Sequence, residues 1–255
     1  MYKNRALSKK DVLVALVIIL ISIFILTSIL FKVRQGAFSK VCQSNLLTLS
    51  NGWAAYSSDN DGDIVNGIAG LKNPPSWIGQ DWASTNLLSE DEQIKAVKSG
   101  KLWPYTYFSD WHCNSSLSGH FRSYSIVDSM NGIPRQGTLD EEGTYIKNIN
   151  QINNPSQRIV FICLGQVIPD TYAVYYNQQK WWDQPPIHHN NGTNVSFADK
   201  HVEYWKWSGK ETLQKGRTAK SIYEPDAINH WSPQTSEGIN DLHQVQIHTW
   251  GQLGY

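Results

Sequence analysis

Twenty residues, Val12 to Phe31, run without a charge, bounded by Asp11 on one side and Lys32 on the other. As a helix this stretch is about 30 Å long, enough to cross a bilayer. Beyond it the pattern changes. Phe38, Val41, Cys42, Leu46, Leu49, Trp53 and Tyr56 recur at helical spacing among polar residues. No proline occurs before Pro74, and Gly36 and Gly52 weaken a helix by only about 1 kcal/mol each. The pattern therefore predicts one long helix over residues 8–57, with a bilayer-like first half (12–31) and an amphipathic second half. The turn chemistry of "SSDNDGD" ends it.

The remainder reads mostly in period two. "TNVSFAD" and "HVEYWKW" alternate and predict a hairpin turning tightly at Asp199-Lys200. Val195 and Phe197 share a face either with Val202 and Tyr204 or with His201, Glu203 and Trp205, depending on register. "QRIVFICLG" and "TYAVYYN" predict two further strands. Near the C-terminus, "DLHQVQIHTW" predicts a short helix with Asp241 near its start and Leu242, Val245 and Trp250 on one side. A helix with an apolar stripe needs a partner and a sheet needs a cover. The expected fold is α+β, an antiparallel sheet packed on the amphipathic half of the long helix. No repeat or linker divides residues 58–255, which predict one globular domain.

Charge and composition narrow the function. Lys plus Arg and Asp plus Glu number 22 each, so no basic field exists to attract nucleic acid. Eleven Trp and twelve Tyr imply an aromatic core, or a surface on which Trp181-Trp182 and Trp205, Trp207 stack against a glycan. "KVRQ" directly after the apolar run is no signal-peptidase site, so the helix is expected to stay attached. Four basic residues precede the run (Lys3, Arg5, Lys9, Lys10) and three follow (Lys32, Arg34, Lys40), which favours a cytoplasmic N-terminus.

Cysteines number three, so they cannot all pair. Cys163 lies in an apolar strand-like run and is read as a buried thiol; Cys42 and Cys113 remain as the disulfide candidates for an exported domain, with connectivity not fixed by sequence. His188, His189 and His201 lie near Asp183 and Asp199, a His/carboxylate set weighed against local hydrogen bonding. Asp59, Asp61 and Asp63 fail the EF-hand pattern, with Ile64 at the sixth position and Gly70 at the twelfth. They leave only an irregular calcium site, weighed against a helix C-terminus followed by a turn, and no other cofactor is expected. No nucleophile elbow, P-loop or dinucleotide glycine pattern occurs, and Asp140-Glu141-Glu142 reads as a solvated loop; an enzyme is not expected.

A long helix leading into a globular domain resembles type IV pilins and pseudopilins. Local residues carry the resemblance further. Ala6 stands at the small residue before the prepilin cleavage point, Leu7 and Ser8 at Phe-Thr, and Asp11 at the Glu. Lys9-Lys10 replaces an apolar pair. "VCQSNLLTLSNGWAAYSSDNDGDIV", "KLWPYTYFSDWHCNSS" with "FRSYSIV", and "HHNNGTNVSFADKHVEYWKW" resemble, in order, segments of the H-x9-DG group of prepilin-like proteins. His189 and Asp199 keep that group's spacing, with Lys200 in place of Gly. The resemblance implies a leader over residues 1–6, cleavage by a prepilin peptidase after Ala6, and N-methylation of Leu7. It implies a helix over 7–57 and a domain over 58–255. It further implies insertion in the inner membrane with the domain periplasmic, and assembly with copies of itself or related subunits into a pilus-like or type II secretion-like filament. There Asp11 would neutralise a neighbouring subunit's amine. The rival expectation is a membrane-anchored module that binds an envelope glycan and never polymerises.

Overall fold

A computed structural model describes residues 8–70, 75–83, 87–106, 110–135, 144–219 and 230–255, with the side chain of Asp11 left out. Helix α1 (Lys9–Asp59) runs unbroken for 51 residues, about 76 Å at 1.5 Å per residue. Its two halves live in different surroundings. Every large apolar side chain from Val12 to Val33 is exposed, Phe24 by 73%. This half is long and apolar enough to cross a membrane. Its polar residues are already satisfied. Ser22 donates to the Ile18 carbonyl at 2.8 Å, and Thr27 and Ser28 both donate to that of Phe24 at 2.9 Å.

The second half is core. Cys42, Leu46, Leu49 and Trp53 are buried on one face, while Val41, expected on that stripe, is exposed together with Leu47. Gly52 is required by a close approach: a Cβ there would stand 2.2 Å from Cγ2 of Thr106 on the one-turn helix α3 (Trp103–Thr106). Gly36 faces open space. The helix ends where the notch at Asp61 and Gly62 turns the chain with φ of 54° and 87°. There Gly62 N donates to the Ser57 carbonyl at 2.9 Å, closing the last turn.

Four antiparallel strands follow in spatial order β1 (Tyr124–Ile126), β2 (Ile159–Cys163), β3 (Gly192–Phe197) and β4 (Val202–Lys206). Tyr124 pairs with Cys163, Phe161 with Ser196, and Asn194 with Tyr204, so these side chains share the face toward α1. The contacts bear this out: Asn194 Oδ1 accepts from Ser39 Oγ at 3.1 Å and Gln43 Nε2 at 3.2 Å. The opposite face carries Val195, Phe197 and Trp205 toward helix α5 (Ser236–Trp250), whose His248 ring lies 5.1 Å from Trp205. The hairpin takes the second of the two registers, with Val195 opposite Glu203 and Thr193 opposite Trp205.

Several local expectations are corrected. "TYAVYYN" forms no strand; it makes isolated bridges, Val127 with Tyr172 and Val174 with Trp181. The outer strand β1 comes instead from "FRSYSIV". The β3–β4 loop has three residues rather than two. Lys200 N donates to the Phe197 carbonyl at 2.9 Å and Phe197 N to that of His201 at 3.0 Å, with Lys200 alone at positive φ, 79°. Helix α5 starts at Ser236, capped by Thr235 Oγ1, which accepts from Gly238 N at 3.1 Å. Asp241 sits inside it and caps a different helix: its carboxylate accepts from Ser208 N, Ser208 Oγ and Gly209 N at the start of α4 (Lys210–Thr218). An earlier helix, α2 (Glu90–Ser99), opens with a Ser89–Glu92 capping box.

The indoles are structural. Trp181, Trp205, Trp207 and Trp231 are buried, with Trp181 stacked on Trp231 at 6.1 Å and edge-on to Trp207 at 6.2 Å. Trp207 Nε1 donates to the Pro186 carbonyl at 2.6 Å. The stacking platform expected of Trp181, Trp182, Trp205 and Trp207 is therefore not presented to solvent; only Trp182 is half-exposed, packed on Tyr175 and His230.

Candidate functional site

Four chain segments converge under α1. Cys42 comes from the helix face itself. Cys113 arrives from the segment before β1, where its N–H donates to Ser123 Oγ at 2.9 Å. Cys163 ends β2, and its carbonyl accepts from Thr193 Oγ1 at 2.6 Å. His189 sits in the turn that enters β3. That turn is tight by sequence. Asn190 and Asn191 adopt φ of 44° and 68°, which Asn tolerates better than most residues, and His189 N donates to the Gly192 carbonyl at 3.1 Å. Any Cβ on Gly192 would lie 1.9 Å from the Trp205 carbonyl oxygen, so only glycine lets the turn close against β4.

The three sulfurs and one ring nitrogen of these residues all lie within 4.8 Å of one another. His189 Nε2 is 3.2 Å from Cys113 Sγ and 3.6 Å from Cys163 Sγ. Each of the four residues is at most 1% exposed. All three cysteines are free thiols. The pairing of Cys42 with Cys113 and the setting apart of Cys163 thus give way to one cluster of three. Hydrogen bonds from Cys163 and Cys42 hold the Cys113 thiol well below its usual range, whereas burial pushes Cys42 and Cys163 up. Beside the cluster, Asn194 bonds to Ser39 and Gln43 on α1, and Asn45 Nδ2 donates to Tyr124 Oη at 3.2 Å. Sulfur and imidazole donors of this kind are the ligands of closed structural metal sites.

Other residues singled out by sequence are dispersed. Ala6 and Leu7 lie outside the described residues, and Asp11 falls in the first turn of α1 with its side chain outside them. Asp59, Asp61 and Asp63 do not assemble as a ligand set: Asp59 accepts from Tyr105 Oη at 3.1 Å and Asp63 from Asn148 Nδ2 at 2.9 Å. Asp140-Glu141-Glu142 also lies outside the described residues. The set of His188, His189, His201, Asp183 and Asp199 separates. His201 and Asp199 pair at 2.5 Å on the exposed hairpin, and Asp183 turns inward to accept from Ala173 N at 2.6 Å. His188 packs in the space left by Gly165, where a Cβ would lie 2.5 Å from its ring. Of the His189–Asp199 motif, His189 enters the thiol cluster and Asp199 shapes the hairpin, its carboxylate accepting from His201 N at 3.1 Å.

Sequence reasoning missed the cluster because its ligands carry no short spacing such as Cys-x-x-Cys. Each comes from a different element. The signal available was an odd cysteine count beside a histidine in a glycine-tight turn.

Comparison of the chain with protein-family models, with curated proteins and with solved structures returned no match.

Proposed function

We propose that the chain is a structural subunit of pilin or pseudopilin type, held in a membrane by the first half of α1 and assembled into a filament through that same half. The observation that carries this reading is the single 51-residue rod, bare and apolar at one end and built into the domain core at the other. A simple tether needs no rigid continuation into the fold, since a loop between anchor and domain would serve. A filament subunit needs that rigidity, because the position of the domain must follow from the packing of the rods.

The driving force is packing of Val12–Phe31 among sister helices in place of lipid, with the hydroxyls of Ser22, Thr27 and Ser28 already bonded to carbonyls of the preceding turn, Ile18 and Phe24, which lowers the cost of burying them. Contacts of one face with a different face of the next copy, repeated, generate an open helical assembly. The Asp11 carboxylate is tolerable in such a bundle when paired with a neighbour's amine. In this reading the partners are the inner membrane, a prepilin peptidase that frees Leu7, and further pilin-like chains, with the domain on the periplasmic side. The alternative of a glycan-binding module has lost the aromatic platform of Trp181, Trp205 and Trp207 to the core.

Mass spectrometry of the mature N-terminus tests the reading. A chain that begins at methylated Leu7 supports it. A chain that keeps Met1 in the native host describes a permanent anchor and overturns it.

A further inference from the structure

We propose that Cys42, Cys113, Cys163 and His189 hold one zinc ion in a closed tetrahedral site that staples α1 to the sheet. The geometry is that of a ligand set. A tetrahedron with Zn–S bonds of about 2.3 Å and a Zn–N bond of about 2.0 Å has S···S edges of about 3.8 Å and S···N edges of about 3.5 Å. The two S···N separations, 3.2 and 3.6 Å, bracket the latter, and all four donor atoms lie within 4.8 Å. A disulfide would bring two sulfurs to about 2.05 Å and leave the third thiol and the imidazole crowded against it. No pair here is joined.

Hydrogen bonding alone satisfies the cluster poorly. Nε2 either gives or accepts one proton, yet it faces two sulfurs. A cation at the centre engages all four groups at once. The donor set selects the ion: three thiolates and an imidazole are soft to borderline ligands, unlike the oxygens that calcium or magnesium require. Complete burial leaves no open coordination position, which marks a structural rather than a catalytic centre. On binding, Zn2+ replaces the protons still carried by the thiols, which pass to solvent, and the site carries one net negative charge. Around the ligands, the Ser123 hydroxyl accepts from Cys113 N and the Thr193 hydroxyl donates to the Cys163 carbonyl, fixing the two backbones that carry these sulfurs.

The location gives the site its consequence. Cys42 lies about three turns past Lys32, where the rod enters the domain, and the other three ligands belong to the sheet and its entering loops. The staple would fix rod to domain at that junction. The inference stands whether or not the chain polymerises, since it concerns the fold of a single copy.

The test is metal analysis of the full-length chain, purified in detergent without chelator and without added metal. One zinc per chain is expected, with all three thiols blocked to alkylation until a chelator removes the ion. His189→Ala should reduce zinc to background, and His189→Cys should restore it, a rescue that a packing role for the ring would not give. Cobalt substituted into the wild-type chain should show the thiolate charge-transfer and tetrahedral d–d bands, which holds the proposal to account even if the alanine variant fails to fold. A zinc-free chain after expression in zinc-supplemented medium, a Cys42–Cys113 disulfide in non-reducing peptide maps, or a different stoichiometric metal would each overturn the proposal.

Discussion

Ser50 on α1 donates a 2.7 Å hydrogen bond to Ser196 on β3, with both side chains fully buried. The contact lies in the polar seam between rod and sheet, in line with the bonds of Ser39 and Gln43 to Asn194. Its strength lies less in what it adds than in what its loss would leave. Ser50→Ala strands the Ser196 hydroxyl in a dry interface, at a cost of about 1–2 kcal/mol. Replacing both residues by alanine should cost less than the sum of the two single changes. Denaturant unfolding of the two single variants and the double variant, monitored by tryptophan fluorescence, checks this.

Lys200 occupies the left-handed position of the β3–β4 loop at φ 79°. A side chain costs about 1 kcal/mol there, and glycine removes that cost. Lys200→Gly is therefore expected to raise stability by about 1 kcal/mol and to leave the hairpin register unchanged. An unchanged or lowered melting temperature would show that the lysine side chain earns its place by some other contact.

The buried carboxyls set a pH dependence. Burial pushes Asp183 up to about 7 and Asp128 up to about 6, with Arg135 and Thr171 bonded to Asp128 opposing the shift there. An unfolded aspartate loses its proton near pH 4, so between about pH 4 and 7 the native chain holds more protons than the unfolded one. Stability from these groups then falls as pH rises through that window. Asp183→Asn keeps an acceptor for the Ala173 N–H and removes the ionisable group. It should flatten the slope and raise stability at pH 8 by on the order of a few kcal/mol. Thermal melts of both chains across pH 4–8 measure the slopes.

Legibility in the sequence followed the scale of each signal. The rod was plain, because an uninterrupted apolar run followed by a 3.6-residue stripe has one simple solution, and neither Gly36 nor Gly52 breaks it. The stripe misplaces only Val41, which stands one residue and about 100° around the helix from Cys42 and so falls outside the buried face. The hairpin is legible from alternation, and β2 from a short continuous apolar run. "TYAVYYN" alternates as well, but its neighbours Val127 and Trp181 offer only single bridges, so pattern without a pairing partner made no strand. Helix α5 starts five residues before its apolar pattern, because Ser236, Glu237 and Gly238 look like loop until Thr235 is seen capping them. The thiol cluster lay beyond reading in one dimension: its members are separated by 26 to 71 residues, from 42 to 113, 113 to 163 and 163 to 189, and only the folded chain brings them within bonding distance of one centre.

The central claim is that the bare end of a rigid rod exchanges lipid for sister rods. Negative-stain electron microscopy of wild-type and Asp11→Ala chains, expressed in the native host and isolated from its envelope, tests it most directly. The account predicts filaments from the wild type and, from the variant, only membrane-bound chains with an intact fold. Filaments in equal number from both, or none from the wild type, would contradict it.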